Sequence, residues 1–596
     1  MKKSPVDQLE EIPAAPTKRS IRGRLRRIER VSLRHAHKFI VRRFVNLREV
    51  RRHAVGWLLL LVALGGATMW QSGISAQPYT APVAAEGGVY TEGVFGAIDT
   101  INPLYATTPA ERAASRLVFA NLLTYDEKND LVGELAQNWK VDASGKIYTI
   151  TLKANAKWQD GVPITADDVL FTFNLIKDAD TRSPLYASWR NIGVDKVDAL
   201  TVRFTLPVTY AAFTNSLVIG ILPHHILKGV HPTQMRTDPY NRSPKVASGP
   251  FQFQDLTSVD HGKDHYLVRM TANPSYVFGK PKLSGFQLHA YKDSEDMPQA
   301  FTSQEVAGLN NASLSQIGTL GNNKNYVRID APLYNGVYAF LKTDSPYFAD
   351  VRVRQALQSA TNQPSILKLF SNTVEPLGGP LLPSQIGYRP DVAQPAMNLD
   401  RAGQLLDAAG WTLGPNGKRQ RNGEPLRIRV VTVNSGNYPA VAEEVMRQWA
   451  QIGVEFDSLV VKPEDVQQNI IIPRAYDVLV YEVAIGRDSD VYAYWHSSQA
   501  SSVGLNLSNY KSAKVDDELD SARTRLDVAL REAKYRLFVQ QWVNDVPAIG
   551  LYRPSLAYIQ NKNVETFTAR PLVDSTDRYF NVRYWASEHD LLRPTR

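Results

Sequence analysis

The stretch KIYTITLKANAKWQDGVPITADDVLFTFNLIK, residues 146–177, passes from a two-residue hydrophobic period to a helix start signal. Tyr148, Ile150 and Leu152 alternate with polar neighbours, which predicts a strand with one buried face. Asp160-Gly161 reads as a turn, and Thr165 as the N-cap of a helix. Thr165-Ala-Asp-Asp168 is a capping-box variant that puts Asp167 and Asp168 in the first turn, where the helix dipole favours acids. The cap accounts for both carboxylates without a metal. A second alternating run, ALTVRFTL at 199–206, places Leu200, Val202, Phe204 and Leu206 on one face. Strand, turn, capped helix and strand in succession constrain the chain to a mixed α/β fold.

The second half repeats the mixture. VYAFLKTDSPYFADVRVRQALQSATN, residues 337–362, reads as strand, loop and helix, and RAGQLLDAAGW, residues 401–411, as a short amphipathic helix ending at Gly410. YPAVAEEVMRQWAQIGV, residues 438–454, aligns Val441, Val445, Trp449 and Ile452 on one stripe, stops at Gly453 and runs into the strand VEFDSLVV. Residues 515–545 read as a long helical region with Leu519, Ala522, Leu526 and Leu530 inward.

At 596 residues the chain exceeds one hydrophobic core, so two or three lobes are expected. The net charge of +9 is misleading as a hint of nucleic acid, because residues 1–53 hold 16 of the 68 basic and 5 of the 59 acidic side chains. The remainder holds 52 basic and 54 acidic residues, so the basicity belongs to the leader. There is no cysteine, which excludes disulfides, thiolate metal sites, a cysteine nucleophile and a lipid-modified N-terminal cysteine.

AVGWLLLLVALGGATMW, residues 54–70, is uncharged and follows Arg51, Arg52 and His53. As a helix it would span roughly 25 Å, near the minimum for a bilayer. Trp57 and Trp70 stand near its ends, and the basic excess before it predicts a cytoplasmic N-terminus with the rest outside. An uncleaved signal anchor is favoured over a signal peptide cut after Ser75-Ala76, whose n-region would be about fifty residues long. The basic segment 19–53 reads as a topology signal or as a helix lying on the anionic inner leaflet. Residues 71–88 read as a linker containing QPYTAPVAAEGG, with a folded body from near Val89.

Eight segments, in order, resemble the extracellular solute-binding proteins of the peptide/nickel class (family 5) that serve ABC importers. They are EGVFGAIDTINPLYA, LVFANLLTYD, LAQNWKVDASGKIYTITLKANAKWQDGVPITADDVLF, ILPHHIL, SGPF, FLKTDSPYFADVRVRQAL, LLDAAGW and the run from Tyr476 to Ser498. The resemblance implies a two-lobed periplasmic-binding-protein fold (type II, three-domain clamshell), here preceded by an N-terminal transmembrane helix. Domain I would comprise residues 89–117, 248–334 and 550–596, domain II 118–247, and domain III 335–549. Crossings between lobes would lie near 247–251 and 335–345. The implied function is binding of a solute, foremost an oligopeptide, between the lobes and delivery to a membrane permease with its ATPase subunits. The alternatives are a non-peptide solute (an oligosaccharide or metal chelate) or a membrane-anchored sensor without an import role. The body would lie outside the cell membrane, extracellular or periplasmic.

No HExxH, phosphate-binding Gly-rich loop or GxSxG is present. No catalytic residue, metal site, cofactor or nucleic-acid partner is therefore expected. Ser508-Asn-Tyr-Lys511 matches SxxK without its supporting motifs, and His224, His225 and His231 read as a surface loop rather than a metal cluster. In the family's peptide binders an Asp in the second lobe captures the ligand's α-ammonium; here Ile485 falls at that place. Glu482, Asp488 or Asp490 would then substitute for it, Arg487 would take a carboxylate or phosphate, and Tyr492 and Trp495 would line the cleft or pack in the core. Glu92 and Gly93 hold a position whose backbone faces the cleft in the family, and Ser248 and Gly249 lie at a lobe junction.

Overall fold

The computed structural model describes residues 47–76, 81–260, 265–321, 324–370, 373–587 and 589–592. The chain divides into a unit containing the leader and a compact body, Ala84–Asp590. In the leader unit, Leu47–Ala76 is one helix of 30 residues whose Trp57, Leu58, Leu59, Leu61 and Trp70 side chains are exposed. Its first two turns carry Arg48, Glu49, Arg51 and Arg52. The sequence predicts a transmembrane helix over residues 54–70; among the described residues no helix is long and apolar enough to cross a membrane. The basic segment up to residue 46 and residues 77–80 of the linker lie outside the described residues.

In the body, the alternation at 146–153 builds the strand Ile147–Leu152, with Tyr148, Ile150 and Leu152 buried. It is flanked by Ala136–Val141 and Thr201–Thr205, and Gly193–Asp198 completes an antiparallel four-stranded sheet. Helix Ala166–Lys177 packs on it through Val169, Phe173 and Ile176, with the Phe173 ring 5.0 Å from Phe204. Asp168 caps this helix by accepting the Thr165 N–H at 2.8 Å and also holds the His224 N–H at 2.9 Å. Asp167 pairs with Lys196 at 2.8 Å.

A mixed seven-stranded sheet adjoins this unit. Its order is Tyr326–Pro332, Ser555–Asn561, Gly308–Leu309, Val89–Phe95, Gly285–Tyr291, His265–Ala272 and Phe251–Asp260. One continuous apolar cluster, from Tyr90 to Trp585, lies under both sheets, so they form a single first lobe. The junction at 247–251 therefore lies inside that lobe and is not a crossing between lobes.

The second lobe is built on five strands in the order Glu455–Val461, Arg427–Val433, Val478–Ala484, Asn335–Leu341 and Ala548–Tyr552. These strands read as near-continuous apolar runs because both faces are covered. Val337, Ala339 and Leu341 enter one core with Val441, Val445 and Trp449 of helix Tyr438–Ala450, while Tyr338 and Phe340 enter another on the opposite face. The expected long helix over 515–545 is two helices, Ala513–Thr524 and Val528–Asp545. Extended backbone at Arg525 and a fresh N-cap at Asp527 reset the helical phase. Leu519 and Ala522 are buried as expected, but Leu526 and Leu530 are exposed, and Tyr535, Phe538 and Trp542 point inward instead.

The lobes are joined at Leu333-Tyr334 and at Arg553-Pro554. Strand Ala548–Tyr552 still belongs to the second lobe's sheet, so the return falls a few residues later than a boundary at 550. The crossings run side by side: the Leu333 N–H donates to the Pro554 carbonyl at 2.8 Å, and Arg553 Nε to the Leu333 carbonyl at 2.7 Å.

Candidate functional site

Strands Arg427–Val433 and Val478–Ala484 run parallel and end on the same side of their sheet, where open α/β sheets place their ligands. The turn after Ala484 carries most of the residues singled out from the sequence. Arg487 reaches across to the first lobe, with Nη2 3.2 Å from Asp130 Oδ1 and its guanidinium over the Tyr125 ring at 5.8 Å. Beside it, the Ala211 N–H donates to the Arg523 carbonyl at 3.1 Å, and the Arg523 guanidinium lies between the rings of Tyr210 at 5.0 Å and Tyr492 at 4.5 Å. The lobes thus touch along the 484–492 turn and the segment around Arg523.

The three candidate acids differ in how their charge is met. Asp488 forms a two-pronged pair with Arg531 Nη2 at 2.8 and 3.1 Å. Asp490 pairs with Arg523 at 3.3 Å, and burial, with Asp488 nearby, pushes its carboxyl above the usual range despite Arg523. Glu482 accepts from Asn335 Nδ2 at 2.6 Å and from the Tyr438 hydroxyl, both neutral donors. Burial and then Glu482 itself drive the Tyr438 hydroxyl far above its ordinary pKa, so it stays a donor. Among the described residues no cation pairs with Glu482. Ile485, at the implied ammonium-binding position, is buried in the core.

Several expected cleft residues lie elsewhere. Trp495 is buried, stacked 5.8 Å from Phe340 and edge-on to Trp542, because its short helix folds onto the sheet. Tyr492, by contrast, lies at the lobe contact, stacked on His496 at 4.1 Å beneath Arg523. Glu92 is fully buried in an ion pair with Arg578, so its side chain does not face the cleft. Gly93 lies mid-sheet against Leu309, and its carbonyl accepts from the Asn310 N–H. Ser248 accepts the Ala120 N–H at 3.1 Å inside the first lobe, and Gly249 abuts the Val118 backbone. Ser508 donates to the Pro547 carbonyl at 2.7 Å. His225 bonds Asp160, His231 caps a helical turn, and His224 leans on Phe171, so these three rings serve separate local contacts.

Two cavities flank the lobe contact, lined by residues that the sequence did not point out. One, of about 370 Å³, is lined by Arg112, Asn121, Tyr125, Asn215, Arg570 and Asp574, among others. The other, of about 190 Å³, lies at the crossings against Asn310, Leu333, Asn335 and Leu556. Arg112 and Asp574, 3.3 Å apart, line both, so a polar trough connects Tyr125, under Arg487, with Asn335, which holds Glu482. Arg570 is committed to the Asp126 carbonyl and to Asn129. Arg112, about two-fifths exposed, keeps donors for a guest.

The family model "Bacterial extracellular solute-binding proteins, family 5 Middle" matches residues 130–504, more than half of the chain. The chain belongs to this family. It is 26% identical over 540 residues to the oligopeptide-binding protein AppA of Bacillus subtilis, covering 89% of this chain and 97% of that one. The solved structure of that AppA in complex with a nonapeptide has a TM-score of 0.66 at 25% identity, covering 85% of this chain and 99% of the other. NikZ from Campylobacter jejuni, solved with Ni(L-His), has a TM-score of 0.69 at 24% identity over 84% and 99% of the two chains, a likeness of fold.

Proposed function

We propose that this family 5 protein is the extracytoplasmic receptor of an ABC importer, that it binds oligopeptides between its lobes, and that Glu482 receives their α-ammonium. One observation carries the anchor: of the three acids near the interlobe contact, Glu482 alone has neutral partners and an uncompensated charge. A buried ammonium needs such a partner, because its desolvation is otherwise unrelieved. Arg112, with Asp574 beside it, would meet a carboxylate or backbone carbonyl farther along the trough. The peptide class is supported by the AppA relative and its nonapeptide complex. The partition into domains I, II and III, with the return moved to Arg553-Pro554, gives the hinge that would close on the guest. The closed form would then dock on a permease driven by ATPase subunits.

Native mass spectrometry of the purified chain against pools of peptides, oligosaccharides and metal chelates tests the class. Retention of peptides that is lost in Glu482→Gln, and for N-acetylated peptides, is the expected result. A response to sugars or chelates alone would overturn it. Residues 54–70 are proposed as the tether, supported by their lack of charge and the basic segment before them. The protein should then stay with membranes after a salt wash, whereas a soluble form beginning near Gln77 would establish a cleaved leader instead.

A further inference from the structure

On the first lobe, outside the trough, two histidines and a carboxylate converge. His265 and His289 sit on neighbouring antiparallel strands; Leu267 is opposite His289 and His265 opposite Tyr291, so the two rings are diagonal neighbours on one face. His265 Nε2 lies 3.1 Å from His289 Nδ1, which is 3.3 Å from Glu305 Oε1; the third separation, His265 Nε2 to Glu305 Oε1, is 3.9 Å. Both rings are buried, while the Glu305 side chain is 41% exposed, which leaves an entry path from solvent. Tyr291 stacks on His265 at 4.2 Å and fixes its plane. A cavity of about 200 Å³ opens against His265, Tyr291, Asp296, Gln299, Ser303 and Glu305.

A hydrogen bond between the two imidazoles explains one of these separations, and it leaves a carboxylate oxygen within 4 Å of both nitrogens. A tetrahedral ion bound to nitrogen and oxygen at about 2.0–2.2 Å holds its ligand atoms about 3.3–3.6 Å apart; the sides of 3.1 and 3.3 Å lie near this, and the 3.9 Å side would shorten slightly on binding. We propose that His265, His289 and Glu305 form a binding site for a divalent first-row transition-metal ion of the zinc or nickel type. Two neutral imidazoles and one carboxylate suit borderline ions rather than calcium or magnesium, which prefer all-oxygen shells. Water in the cavity, held by Asp296, Gln299 or Ser303, would complete the coordination. None of these residues lines the two trough cavities, so the site is separate from the solute site. It would clamp the segment after helix Met297–Thr302 onto the sheet, just before Gly308–Leu309 pairs with Val89–Phe95.

The test uses the full chain in mild detergent, stripped with EDTA and titrated calorimetrically with zinc, nickel and calcium chlorides. One equivalent of zinc or nickel should bind and calcium should not; cobalt(II) should give visible d–d absorption. Glu305→Gln, whose exposed position spares the fold, should weaken zinc binding at least about tenfold, and His289→Ala should abolish it. The triple variant H224A/H225A/H231A should bind as the parent does. No binding to the parent, unchanged binding in Glu305→Gln, or a loss confined to the triple variant would overturn the proposal. The Glu305→Gln result stands even where His289→Ala fails to fold.

Discussion

Glu92 and Arg578, 486 residues apart in sequence, form a fully buried two-pronged ion pair at 3.0 and 2.8 Å, with the Tyr579 hydroxyl donating to the same carboxylate. It fastens strand Val89–Phe95 to the helical segment Ser575–Tyr584 and so closes the first lobe. Removing one member leaves a bare buried charge, which costs about 3–5 kcal/mol. Glu92→Ala should therefore lower stability by that amount in urea denaturation, while peptide affinity, measured where the variant is folded, changes little. A loss under about 1 kcal/mol would mean that water or another cation replaces the partner.

Gly249 is required by close approach. A Cβ there would lie 2.5 Å from the Val118 carbonyl carbon and 2.7 Å from the Phe119 nitrogen, both backbone atoms that cannot swing aside. Gly249→Ala should cost about 1–3 kcal/mol through forced backbone displacement. The same melts made with saturating peptide should show an undiminished ligand-induced shift, because the residue lies within the first lobe. A lost shift with unchanged stability would return Gly249 to the binding site.

Much of this architecture was legible in local pattern. Alternation at 146–153, the cap at Thr165 and the stripe ending at Gly453 each specify an element within a dozen residues. What failed was long-range. Nothing near Glu92 announces Arg578, and nothing in the spacing of Arg112, Tyr125 and Asp574 brings them to one trough. Trp495 sits in a run of polar and aromatic residues that suits a cleft, and only the packing of Phe340 and Trp542 against it shows a core position. Between Ala522 and Leu530 the periodicity misled, because Asp527 restarts the helix out of phase.

The Arg487–Asp130 contact joins the two lobes, with Asp130 largely exposed. A pair in that setting is worth about 0.2–1 kcal/mol. Arg487→Ala should therefore raise the ratio of open to closed forms by a factor of about 1.4–5, read by fluorescence transfer between labels on the two lobes. The difference should fade in molar salt, where the screening length is about 3 Å. The charge-swapped pair, Arg487→Asp with Asp130→Arg, should restore closure. Equal transfer in parent and Arg487→Ala at low salt would mean that the contact carries no closing energy.

Asp490 gives folding stability a pH dependence of defined sign. Its carboxyl is raised above the ordinary aspartate value by burial and by Asp488, against the pull of Arg523, with Tyr210 opposite it in the first lobe. The folded state therefore binds the Asp490 proton more tightly than the unfolded state does, and stability falls as pH rises through the interval between the two pKa values. The effect is greatest below about pH 3.9, the ordinary aspartate value, and is gone once both states are ionised. Asp490→Asn removes this proton from both states. Denaturation of the parent and of Asp490→Asn in parallel from pH 4 to 8 should show the parent gaining on the variant as pH is lowered towards 4, with a constant difference near neutrality. The reverse slope would show that the pairing with Arg523 outweighs desolvation in the folded state.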